Sequence, residues 1–144
     1  MTPLKIRNIN LLAQKKNQFL FVIPSYEASH KGVDFILRLT RFIPDDYKMI
    51  IVGGLIPNSR LDGILSKVIN LGPVNSDELD SLYRSSKNKL VPSFFTEAFG
   101  RVIIESIVNG TSVIRSPNCG ANYFLQDKEF IKIVPLNLNY GLIR

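Results

Sequence analysis

Short runs of consecutive apolar residues alternate along this chain with stretches in which apolar positions recur every three or four residues. Phe19 to Ile23 is an unbroken apolar run, the pattern of a strand covered by helices on both faces, and Pro24 stops it. The loop Ser25 to Gly32 leads to a helix near Val33 to Phe42, where Phe35, Ile36, Leu39 and Phe42 can share a buried face. Pro44-Asp45-Asp46 breaks it, and Tyr47 to Val52 is a second strand closing on Gly53-Gly54. Ser59 to Ser66 reads as a short helix with Ser59 near its cap, and Val68 to Leu71 as a strand ending at Gly72-Pro73. Ser76 is the expected N-cap of a helix over Asp77 to Ser85, with Leu79 and Leu82 inward and acids in the first turn. Leu90-Val91 belongs to a strand ending at Pro92. A helix then runs from Phe99 or Gly100 to Val108, stopped by Asn109-Gly110. Thr111 to Ile114 is the next strand, Arg115 to Gly120 its loop, Asn122 to Leu125 a short helix, and Phe130 to Val134 a last strand.

This alternation predicts an α/β fold: one Rossmann-like domain over residues 18–135, a predominantly parallel sheet flanked by helices. Residues 1–17 read as a polar lead-in or former interdomain segment, with a short helix around Ile9 to Gln14, and residues 136–144 as a tail. The 144 residues suffice for one domain with a real core. The start has basic residues but no secretory apolar core with a cleavage site, and no apolar run reaches the length of a spanning helix. A cytoplasmic location is expected.

Composition narrows the chemistry. Cys119 and His30 are the lone cysteine and histidine, far apart in sequence, so neither a disulfide, a zinc site nor a Cys-His nucleophile is expected. The formal net charge of +6 suits a phosphorylated ligand, the anionic inner face of a membrane or nucleic acid. No zinc-finger spacing, RNA-binding strand motif or long basic helix favours nucleic acid.

The candidate ligand residues cluster at the carboxyl ends of the expected strands, where open parallel sheets bind ligands. Gly53, Gly54 and Gly72 suit either tight turns or close approach of a ligand. Lys31, at a helix start behind the first strand, is placed to meet phosphate oxygens, although a plain surface lysine fits as well. Glu97 and Glu105 flank a strand-to-helix crossing eight residues apart, or about 9–12 Å along a helix axis. That separation suits two ends of one polar molecule better than a hydrolytic pair around one bond. Read blandly, Glu97 caps a helix and Glu105 faces solvent.

Together, Pro92-Ser93, Glu97-Ala98-Phe99-Gly100 and Glu105 resemble the E-x7-E region of the family 4 retaining glycosyltransferases, also called glycosyl transferases group 1. Lys31-Gly32-Val33-Asp34, Ile50-Ile51-Val52-Gly53-Gly54 and Ile69-Asn70-Leu71-Gly72-Pro73-Val74 support the likeness over roughly residues 19–134. The resemblance implies the C-terminal, donor-binding half of a two-domain GT-B enzyme of carbohydrate biosynthesis. It implies that Glu97 contacts the transferred sugar, Glu105 holds the nucleotide ribose and Lys31 faces the donor diphosphate. Phe99 and Gly100 would lie near sugar and phosphate, and the base near Gly53 and Gly72. The donor is a nucleoside diphosphate sugar, used with retention and without cofactor or metal.

The chain departs from the family pattern in several places. The basic residue usual about six positions before the lysine is replaced by Pro24-Ser25-Tyr26, which leaves Arg115 as the candidate substitute. Cys119-Gly120-Ala121-Asn122-Tyr123 lacks the usual acid, and the segment between Gly54 and Val68 is short. The chain has no room for an N-terminal acceptor domain, so a missing domain or a separate acceptor-binding chain is expected to complete the enzyme, the isolated chain being weakly active or inactive. A non-catalytic interaction module or truncated remnant is the competing reading, followed by a basic domain that docks on anionic lipid or nucleic acid.

Overall fold

A computed structural model describes residues 15–24, 31–92, 101–116 and 131–133, with the backbone alone described at 101–103 and 131–133. The elements are β1 (Lys16–Ile23), α1 (Val33–Thr40), β2 (Lys48–Gly53), β3 (Val68–Gly72), α2 (Ser76–Ser85), β4 (Ser86–Val91), α3 (Arg101–Val108), β5 (Ser112–Arg115) and β6 (Ile131–Ile133). Every strand pairing is parallel, and the six strands lie in the order β3-β2-β1-β4-β5-β6. The chain winds outward from β1 through β2 to β3, crosses back along α2, and winds the other way through β4, β5 and β6. The direction of winding therefore reverses between β1 and β4.

Two apolar layers result. On one face, α1 buries Val33, Ile36 and Leu37 against Phe21, Ile23, Met49, Ile51 and Leu90. On the other, α2 packs fully buried Tyr83, with Leu79 and Leu82, against Leu20, Ile50 and Val52. Successive strand residues point to opposite layers, so the continuous apolar runs of β1 and β2 are what a sheet covered on both sides requires.

Phe42 lies beyond the end of α1 and is 73% exposed instead of sharing the buried face, and four further local expectations need correction. The helix expected over 59–66 is a pair of 3-10 turns, Asn58–Arg60 and Leu65–Lys67. Its backbone N–H groups reach carbonyls three residues back, as from Leu61 to Asn58 and Ile64 to Leu61. Leu61 and Ile64, which flank the turn between the two, both enter the core. The N-cap of α2 is Asn75 rather than Ser76. Its side chain accepts from the Glu78 N–H at 2.8 Å while Glu78 accepts from the Asn75 N–H at 3.1 Å, a reciprocal capping box.

The third and fourth corrections concern strand starts. β1 begins at Lys16, inside the expected lead-in, because its polar residues have partners: Gln18 donates to Ser86 at 2.9 Å and Asn17 to Asp46 at 2.8 Å. β4 begins at Ser86, directly after α2. Its polar sequence is buried at Ser86 and at Lys89, whose ammonium lies 5.8 Å from the Phe21 ring centroid. The helices expected at Ile9 to Gln14 and Asn122 to Leu125 lie outside the described residues.

Gly53 closes β2 with φ at +99°, and a Cβ there would stand 1.9 Å from the Ile23 carbonyl oxygen. Gly54 donates to that same oxygen at 2.8 Å, so the ends of β1 and β2 are locked together. Gly53→Ala is expected to destabilise the fold by at least about 2 kcal/mol. Chemical denaturation measures this, and a loss under about 0.5 kcal/mol would contradict the packing described.

Candidate functional site

Because both windings start in the middle of the sheet, α1 after β1 and α3 after β4 lie on opposite faces, and the carboxyl edge between the two strands is the usual position of a ligand crevice in such sheets. The wall on the β1 side is the turn into α1. Gly32 caps that helix with φ at +85° and no side-chain cap, so the first-turn N–H groups point toward the crevice end of the helix. A Cβ at Gly32 would lie 2.2 Å from the Pro92 carbonyl oxygen. The turn carrying Lys31 is thereby pressed against the end of β4. Lys31 itself is half-buried.

The other expected residues fall as follows. Gly53 and Gly54 stand at the end of β2 and Gly72 at the end of β3, all on the carboxyl edge. The geometry at Gly53 answers to strand packing. Glu105 is half-buried in α3, the helix that leaves β4 on the face opposite α1. Lys31 thus stands at the start of the helix on one face of the sheet, and Glu105 on the helix of the other face. Arg115 ends β5 at the same edge but is 1% exposed, with its guanidinium donating to the Ser116 carbonyl at 3.2 Å. Glu97, Phe99 and Gly100 lie outside the described residues, as do His30 and Cys119.

A polar cluster behind Glu105 was not apparent from the sequence. The Tyr83 hydroxyl, on fully buried Tyr83 of α2, donates to Glu105 Oε2 at 3.5 Å. Burial first, then the Glu105 charge and its hydrogen bond, push the Tyr83 phenol well above the ordinary tyrosine range, so it stays a donor. The Tyr83 carbonyl accepts from the Thr111 hydroxyl and, at 3.3 Å, from Lys15 Nζ. Burial, and secondarily the Arg84 charge, hold the Lys15 ammonium below its ordinary range. This cluster joins α2, α3 and the start of β5 beneath Glu105. Tyr83 lies four positions after Leu79 in α2, a spacing that reads as core and hides the hydroxyl.

Among the described residues, no group of three His, Cys, Asp or Glu side chains stands close enough to hold a metal ion, and no helix is long and apolar enough to cross a membrane.

Residues 4–135 match the family described as glycosyl transferases group 1. The chain belongs to this family. It is 33% identical over 94 residues to an uncharacterized glycosyltransferase of Methanocaldococcus jannaschii, a match covering 60% of this chain and 24% of that protein. The chain thus spans about a quarter of that relative's length. Its fold is that of a Rossmann-like domain of GT-B glycosyltransferases. The crystal structure of Anabaena HepE in complex with UDP-glucose superposes with a TM-score of 0.72 at 18% identity, over 83% of this chain and 35% of that one. The C-terminal domain of a glycosyl transferase group 1 family protein from Francisella tularensis superposes with a TM-score of 0.67 at 19% identity, over 85% and 69% of the two chains. The fold implied by the resemblance to this family is therefore the one observed.

The raised Tyr83 pKa fixes a sign. The folded chain holds the phenol protonated where an unfolded tyrosine ionises, so the stability contributed by Tyr83 is full below about pH 10 and declines as pH rises above it. In a spectrophotometric titration of the native protein, Tyr83→Phe should leave the absorbance change between about pH 9 and 11 unaltered. Loss of one tyrosine's ionisation step in that window would contradict the buried donor.

Proposed function

We propose that this chain is the donor-binding half of a retaining glycosyltransferase, taking a nucleoside diphosphate sugar in the crevice between the ends of β1 and β4. The observation that carries the proposal is the close approach of Gly32 to Pro92, which sets Lys31 and the amino end of α1 beside the β4 terminus. A lysine charge and first-turn N–H groups converging there suit a diphosphate. The UDP-glucose complex of HepE, on the same fold, supports a donor of this class.

In this reading Glu105 accepts hydrogen bonds from the ribose hydroxyls, with the Tyr83 hydroxyl at Oε2 fixing the carboxylate's position. Glu97 meets the transferred sugar, Phe99 and Gly100 lie against sugar and phosphate, and the base sits over the β2 and β3 ends at Gly53, Gly54 and Gly72. Buried Arg115 contributes positive potential beneath the diphosphate. The acceptor is held by a second domain, in a longer polypeptide or a separate chain. That domain also closes the crevice against water and orients the attacking hydroxyl.

Donor titration by calorimetry tests the assignment. Glu105→Ala and Lys31→Ala are each expected to weaken binding of UDP-glucose, or of whichever nucleoside diphosphate sugar binds best in a panel, by about 10-fold or more. Equal affinity in wild type and both variants would overturn the site.

A further inference from the structure

A second concave surface lies away from the crevice, between the outer side of α1 and the β2–β3 connection. It is a groove of about 320 Å³ lined by Asp34, Leu37, Arg38, Arg41, Arg60 and Ile64. Leu37 and Ile64 are core residues and form its apolar floor. Three guanidinium groups face a single carboxylate, and two of the arginines are held by the protein. Arg60 pairs with Asp34, and Arg41 Nη2 donates to the Asp62 carbonyl at 3.4 Å. Arg41 also packs against Gly63, where a Cβ would come within 3.2 Å of Nη1. Arg38 is exposed, and its guanidinium has no hydrogen-bond or ion-pair partner among the described residues. It lies about 9 Å down the helix axis from Gly32, which sets the Arg38 end of the groove apart from the proposed donor crevice, while Asp34 stands in the first turn of α1.

We propose that this groove is a second anion site, which binds a phosphate group carried on an apolar body. Guanidinium forks match phosphate oxygens two at a time, and fixing two of the three forks in advance lowers the cost of ordering them on binding. The apolar floor selects a phosphate ester over inorganic phosphate. Asp34 opposes the ligand, since it neutralises Arg60 and adds negative charge to the rim.

Calorimetric titration with phenyl phosphate and with inorganic phosphate tests the site on the intact chain. Phenyl phosphate should bind more tightly. The double variant Arg38→Ala/Arg41→Ala should weaken it about 10-fold or more, and Asp34→Asn should strengthen it by about 3-fold. Lys31→Ala, which alters the donor crevice, should leave this affinity unchanged, so failure here and failure of the donor assignment are separable. Both arginines are exposed, and an unchanged thermal midpoint confirms that the double variant folds. Sedimentation with phosphatidylglycerol vesicles distinguishes the sources: vesicle binding lost in the double variant identifies a lipid headgroup, and binding of the free ester alone identifies a soluble ligand. Wild-type affinity in the double variant, or loss of binding in Lys31→Ala, would overturn the proposal.

Discussion

The pairing of β1 with β4 is the constraint on which the rest of this molecule depends. The two strands are separated by the whole β2–β3 half of the domain, and only a crossover along α2 brings them side by side. Their adjacency divides the helices between the two faces and opens the carboxyl edge between them. Its cost is visible in the sequence of β4. Ser86 and Lys89 are buried in the sheet interior, accommodated by Gln18 and by the Phe21 ring. Gly32 completes the junction, since any side chain there would drive α1 away from Pro92.

The two sides of the crevice are built differently. The α1 side is made of backbone: a left-handed glycine, a helix end and the Pro92 carbonyl oxygen. The α3 side rests on a buried polar cluster in which Tyr83 spans the gap between α2 and Glu105. A carboxylate held by a hydroxyl that stays protonated is restricted in direction. The fold thus presents a helix amino end on one face of the sheet and an oriented carboxylate on the other.

The apolar runs at Phe19 to Ile23 and Tyr47 to Val52 announced the central strands because burial on both faces leaves no place for polar residues. The same logic hid β4, whose polarity is matched one residue at a time by distant partners that no local pattern shows. Asn75 and Glu78 carried a capping box in plain view, yet the adjacent Ser76 was an equally good cap by type alone. Gly53 and Gly72 were legible as strand ends because glycines mark turns in this fold. Tyr83 was not, since a tyrosine at helical spacing among leucines reads as core whatever its hydroxyl does. Arg115 was placed at the right edge by sequence, but its burial depended on the packing of β4 and β5. Glu97 lies outside the described residues, so its part in the account rests on the family pattern.

The central claim is that the ligand enters at the reversal of strand order. Amide chemical-shift mapping with UDP tests it most directly, because it locates binding without presuming a side chain. The account predicts the largest shifts at Gly32, Val33, Gly53, Gly54 and Ser116, around the carboxyl ends of the central strands. Shifts concentrated at the amino ends of the strands, around Asn17, Lys48 and Lys67, would contradict it.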